Sequence, residues 1–159
     1  MTKQSQTEVR AGTRRCAIYI RKHSGNGQRE ILDSLREQRK SCEAYIRSRE
    51  QEGWVCLPEP YDDRGCAGNT MDRPALKRLL SDVKKGKVDC VVVYKVDRLT
   101  REMGDFGRTL EMLREHGVSF ISIMQPTFRF VIEKEKGIEK DTFSRGIMGI
   151  FATLCSVFP

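Results

Sequence analysis

"CVVVYKVDRLTR", residues 90–101, is a β-branched, almost wholly apolar run that passes abruptly into an aspartate and two arginines. The apolar part has the character of a central strand covered on both faces. Its polar continuation then lies beyond the strand's carboxyl end, where open α/β sheets place reactive groups. Working outward, "RPALKRLLSDVKKGK" (73–87) predicts a helix with Pro74 in its first turn, where a missing N–H costs little. A further helix spans about Met103 to His116 and stops at Gly117, and "SFISIM" (119–124) reads as a strand. Upstream, "CAIYI" (16–20) is a β-rich run that halts at Arg21, Lys22, His23 and Ser24. From Ser34, the spacing of Leu35, Cys42, Tyr45 and Ile46 predicts a helix capped by Ser34 and stopped at Gly53. "WVCLPEPYDD" (54–63) predicts one more strand, with prolines that suit an edge. Strands alternating with helices of this length imply an α/β fold: a mainly parallel, four- to five-stranded sheet with helices on both faces.

The flanks differ from this core, which is expected to span residues 15–125. Residues 1–14 are polar and basic and are expected to form a disordered tail. Residues 126–146 mix charge with aromatics without a clear period and read as a loop. "IMGIFATLCSVFP" (147–159) then reads as the start of an apolar helix cut off by the chain end. The 159 residues fit one domain, and the net charge of +7 points to an anionic partner, most obviously nucleic acid. Six cysteines are scattered singly, with no CxxC pair and no cysteine–histidine cluster, so they read as free thiols rather than zinc ligands. No segment reaches the roughly 18 consecutive apolar residues of a membrane span, and the opening residues lack a signal peptide's apolar core. A cytoplasmic protein is expected.

The loops after the first and third strands hold the informative side chains. Asp97, Arg98 and Arg101 sit in "KVDRLTR", where two arginines three residues apart can fork around a phosphate and the aspartate can hold one of them. Arg21 and Ser24 follow the first strand, bringing a potential attacking oxygen near positive charge. "SGNG" (24–27) has neither the spacing of a nucleotide fingerprint nor the lysine of a P-loop, which weighs against a nucleotide-binding domain. The adjacent Asp62 and Asp63 have the composition of a solvated turn as much as of a metal site.

Taken together, "AIYIRKHS" (17–24), "SLREQR" (34–39), "YDDRGCAGNTMDRPALKRLL" (61–80) and "VVVYKVDRLTR" (91–101) resemble the catalytic domain of the serine recombinases, the resolvase and invertase family. The likeness runs from about Cys16 to Gln125 and is strongest to large integrase and transposon-type members. It implies a resolvase-like fold ending at the start of a long interface helix, and site-specific DNA recombination by serine attack on a phosphodiester. That reaction leaves a 5′-phosphoserine intermediate and needs neither metal nor nucleotide cofactor. Double-stranded DNA and further recombinase subunits are the implied partners, with no membrane, in the nucleoid of a prokaryotic or phage-type system. Carried over by position, the resemblance marks Arg21, Gln38 of the "SLxxQ" motif, Arg73 of "DRP", and Asp97, Arg98 and Arg101 as site residues. Asp63 or Asp62 corresponds to a further acidic position.

One departure stands out: the family's arginine, any residue, serine reads here Arg21, Lys22, His23, so Ser24 comes one place late. A one-residue shift along a strand turns a side chain to the opposite face unless the loop bulges, and Gly25 and Gly27 permit a bulge. Ser24 remains the expected nucleophile. The rival reading is an inactive or truncated remnant that only binds DNA or pairs with intact subunits.

Overall fold

The computed structural model describes residues 12–22, 28–64, 72–100, 102–126, 129–132 and 139–140. The elements are β1 (Arg14–Lys22), α1 (Gln28–Arg47), β2 (Trp54–Cys56), β3 (Tyr61–Arg64), α2 (Pro74–Lys84) and β4 (Cys90–Val93), then α3 (Val96–Leu99), α4 (Met103–Glu115), β5 (Ser119–Ser122), β6 (Arg129–Ile132) and β7 (Glu139–Lys140). A 3-10 turn, Glu50–Glu52, links α1 to β2. Residues 1–11 of the expected tail (1–14), the loops 23–27 and 65–71, and the expected apolar helix (147–159) lie outside the described residues, whereas Arg14, at the end of that expected tail, already belongs to β1, where it pairs with Trp54.

β1 is the centre of the sheet, pairing in parallel with β4 on one side and with β2 and β3 on the other. β5 continues in parallel beyond β4. The strand expected over 54–63 is two strands laid end to end along one edge of β1: β2 against Arg14–Cys16 and β3 against Tyr19–Lys22. Pro58 and Pro60 lie between them, and a residue without an N–H cannot continue the ladder. Counted by position across the sheet, among the described residues, this gives four parallel places followed by two antiparallel strands, β6 beside β5 and β7 beside β6.

Strand alternation divides the core into two layers. Ala17 and Tyr19 of β1 face α2 and α4, packing with Leu76, Leu79, Phe106 and Leu110. Cys16, Ile18 and Ile20 face α1, packing with Leu35, Cys42 and Ile46. Helices therefore cover both faces, as the alternation of elements predicts.

Four details differ from the sequence reading. α1 begins at Gln28 rather than after Ser34: residues 28–33 (QREILD) are compatible with a helix, and Ser34 is an interior residue whose hydroxyl lies 3.5 Å from Gln38 Nε2. β4 ends at Val93, and Val96 is apolar because it is buried in α3 beside α4's core face. The segment expected as a loop over 126–146 contributes β6 and β7, whose short runs are too brief to show a period. Gly53 does close the α1 region, with φ +86; a Cβ there would stand 2.7 Å from the Gly12 carbonyl oxygen, so only glycine fits.

Candidate active site

Arg21 ends the inward-facing series Ala17, Tyr19, Arg21 on the α2 side of β1, and it is fully buried. A guanidinium can be buried only if its donors are matched. Arg21 Nη2 donates to the Asp97 carbonyl at 2.7 Å and Nε to the Arg98 carbonyl at 3.3 Å. Arg73, also fully buried, stands at the start of α2 and converges on the same turn. It donates to the Arg98 carbonyl at 3.2 Å, to the Leu99 carbonyl, and to the Tyr19 hydroxyl at 2.8 Å, with its guanidinium 5.5 Å from the Tyr19 ring centroid. The carbonyls of Asp97, Arg98 and Leu99 in the four-residue α3 thus hold two guanidiniums.

Asp63 organises the other flank. It pairs with Arg21 across the β1–β3 ladder and is only 3% exposed. Tyr19 donates its hydroxyl to Asp63 Oδ2 at 2.8 Å, while Asp63 accepts the Ala75 N–H at 2.9 Å and the Leu76 N–H at 3.0 Å. Arg73, the residue before α2, makes no side-chain cap bond, so the helix takes its cap from β3 instead. Burial pushes the Tyr19 phenol far above its usual range, against the pull of Arg73, so it remains a neutral donor and acceptor between the two charges.

Asp97 and Arg98 project from α3. Their side chains approach only to 3.9 Å between Asp97 Oδ1 and Arg98 Nε, an ion pair without a hydrogen bond, and both atoms are buried without a hydrogen-bond partner. Asp97 orients Arg21 through its backbone carbonyl, while its carboxylate lies beside Arg98, one of the two arginines the sequence reading had it hold. Gln38 lies on α1 and is 2% exposed; its Oε1 has no hydrogen-bond partner. Beside it, Arg39 Nη2 meets Asp62 Oδ1 at 2.6 Å, tying α1 to β3. The neighbouring aspartates thus serve opposite faces, Asp62 toward α1 and Asp63 toward the arginines.

Residues 16–156 match the family described as "Resolvase, N terminal domain". The chain belongs to the resolvase family. Over 63 residues this resolvase-family chain is 44% identical to the serine recombinase gin of Escherichia phage Mu, a stretch covering 40% of this chain and 31% of that protein. It is 42% identical over 52 residues to the transposon Tn501 resolvase of Pseudomonas aeruginosa, covering 33% and 27% respectively. The matched segments thus span about a third of these relatives' length or less. Among solved structures, the N-terminal catalytic domain of TP901-1 integrase superposes with a TM-score of 0.61 at 28% identity, over 91% of this chain and 93% of that one.

Of the residues expected at the resolvase site, Arg21, Arg73, Asp97 and Arg98 converge on α3, and Gln38 stands on the helix covering the other face. Ser24, His23 and Arg101 lie outside the described residues. Sequence reasoning missed Tyr19 and left Asp63 unassigned. The signal was available: counting back two from Arg21 along a strand puts Tyr19 on the same face. Among the described residues no group of three or more His, Cys, Asp or Glu side chains is placed to hold a metal ion. Cys16, Cys42, Cys56 and Cys90 are free thiols, and no described helix is long and apolar enough to cross a membrane.

Proposed function

We propose that this chain is the catalytic part of a site-specific DNA recombinase that cleaves and rejoins double-stranded DNA through a covalent protein–DNA intermediate. The observation that carries this reading is the pair of buried guanidiniums, Arg21 and Arg73, fixed by α3 at the carboxyl end of the strand leading to Ser24. Fixed donors cost no reorganisation when charge grows on a phosphorus passing through five-coordination. Ser24 Oγ attacks the phosphorus; the Oγ–P bond forms as the bond from phosphorus to the 3′ oxygen breaks. The serine gives up its proton, and the departing 3′ oxygen takes one up. Asp97, whose side chain is 48% exposed, is the carboxylate that accepts the serine proton and passes a proton on to the 3′ oxygen. Arg98 and Arg101 add to the charge around the non-bridging oxygens, and Gln38 closes the site from α1. Because the phosphoserine keeps the energy of the broken bond, a 3′ hydroxyl of a second strand reverses the step with no cofactor. Strand exchange requires more than one subunit, which makes further recombinase chains the natural partners.

The second reading, an inactive chain that binds DNA or pairs with intact subunits, is favoured by His23 standing where the family places serine. Both are tested by incubating the protein with a plasmid library, trapping adducts in denaturant and sequencing the attached DNA. A 5′-linked adduct lost in Ser24→Ala supports the serine reaction. No adduct supports the inactive chain. An adduct that survives Ser24→Ala but disappears in His23→Ala, with the acid lability of a phosphoramidate, overturns the serine assignment.

A further inference from the structure

We propose that Gln125 is a positioning residue for the arginine cluster, acting by capping the short helix that holds it; its catalytic arm rests on the recombinase reading above. A helix of four residues is far too short to persist alone. Lys95, the residue preceding α3, provides no side-chain cap. The first N–H of the helix, that of Val96, is instead taken by Gln125 Oε1 at 2.9 Å, and Ser122 Oγ lies 3.5 Å from the same oxygen. Two backbone bonds, Ile123 N–H to the Val93 carbonyl and Met124 N–H to the Tyr94 carbonyl, both 3.0 Å, lay the chain leaving β5 along the chain leaving β4. Those bonds end one residue before Gln125, so its side chain is the last link to α3.

The consequence reaches the site through α3 itself. The carbonyls of Asp97, Arg98 and Leu99 receive Arg21 and Arg73, so wherever the first turn of α3 sits, the two guanidiniums follow. Misplacing such groups by about 1 Å costs on the order of a hundredfold in rate. Gln125 touches neither guanidinium in any of these bonds; it works at one remove.

The test uses the full chain and two variants. Gln125→Leu keeps the bulk and removes the acceptor, whereas Gln125→Glu keeps an oxygen there and supplies a charge-assisted bond to the Val96 N–H. The readouts are hydrogen exchange at the Val96 amide, the NMR signals of the Arg21 and Arg73 Nε–H groups, DNA affinity, and the rate of adduct formation. In Gln125→Leu, Val96 protection is lost, the arginine signals broaden or shift, and adduct formation slows by about tenfold or more with DNA affinity little changed. Gln125→Glu restores all of these, a rescue that mere packing does not predict. Wild-type arginine signals in Gln125→Leu, or a Glu variant as impaired as the Leu variant, overturn the proposal. If Gln125→Leu does not fold, Gln125→Asn, whose shorter amide withdraws the acceptor by one carbon, replaces it with the same readouts. If even the wild-type chain forms no adduct, the recombinase reading fails, while the exchange and arginine signals still decide the role of Gln125.

Discussion

Near the amino end of β1, Arg15 lies against a carboxylate, with Nε 2.9 Å from Asp89 Oδ2 and Nη2 3.2 Å from Oδ1, whereas at the carboxyl end Arg21 lies against the carbonyls of Asp97 and Arg98. A carboxylate cancels a guanidinium's charge as it binds it. A carbonyl fixes the guanidinium's direction and leaves its formal charge in place. The first arrangement joins β1 to the segment before β4; the second presents a cation at a fixed angle. The amino end also buttresses Trp54, with the Arg14 and Arg49 guanidiniums 5.1 and 5.3 Å from its ring centroid. One strand thus ends in a carboxylate-bound joint on one side and a carbonyl-held guanidinium on the other.

The sharpest way to break this contrast is to remove one arginine from each end. Arg21→Ala is expected to slow adduct formation by about 10²–10³-fold, the scale seen when a fixed donor to a developing charge is lost. Arg15→Ala is expected to leave that rate unchanged. Equal losses of activity in the two variants, at matched stability, would show that the ends do not differ in kind. Asp63→Ala removes the acceptor of the Tyr19 hydroxyl and of two α2 N–H groups, and is expected to lower stability by about 2–3 kcal/mol in urea unfolding. Arg15→Ala removes the guanidinium from the 6%-exposed Asp89 while leaving it the residue-15 N–H, and is expected to cost about 1–2 kcal/mol. An Arg15→Ala/Asp89→Ala double-mutant cycle is then expected to recover about 1 kcal/mol of it as coupling.

A separate effect, set by pH, is expected in alkali. Burial pushes the Cys42 thiol up to about 12. The folded chain then holds this proton at pH values where the unfolded chain, near the ordinary value of 9.0, releases it. Stability is therefore full below about pH 9 and falls by about 1.4 kcal/mol per pH unit from this group until pH nears 12. Thermal melts from pH 8 to 10.5 check the slope, and Cys42→Ala is expected to make it shallower, with burial of the Cys56 and Cys90 thiols keeping part of it.

Much of the frame was legible because its signals are local. The apolar run 90–93, the helix spacing after Leu35 and the glycine stops each follow from side chains within a few residues. The site was legible only in part. Arg21 and Arg73 were marked by the resemblance, and Asp97 and Arg98 by the run they stand in, yet the two buried guanidiniums are held mostly by backbone carbonyls, which no residue identity advertises. The caps at α2 and α3 come from Asp63 and Gln125, separated in sequence from the helices they serve. A helix start with no capping residue of its own was the one available hint. β6 and β7 escaped because their partners, β5 and each other, decide them more than their own few residues do.

The break between β2 and β3 carries one more consequence. An open sheet edge is a template on which another chain's strand can grow, and β1 is flanked there by strands of only three and four residues. Pro58 and Pro60 interrupt that edge where it would otherwise run longest, depriving an incoming strand of consecutive N–H groups to grip. On this side the sheet offers no long unbroken edge on which another strand could grow.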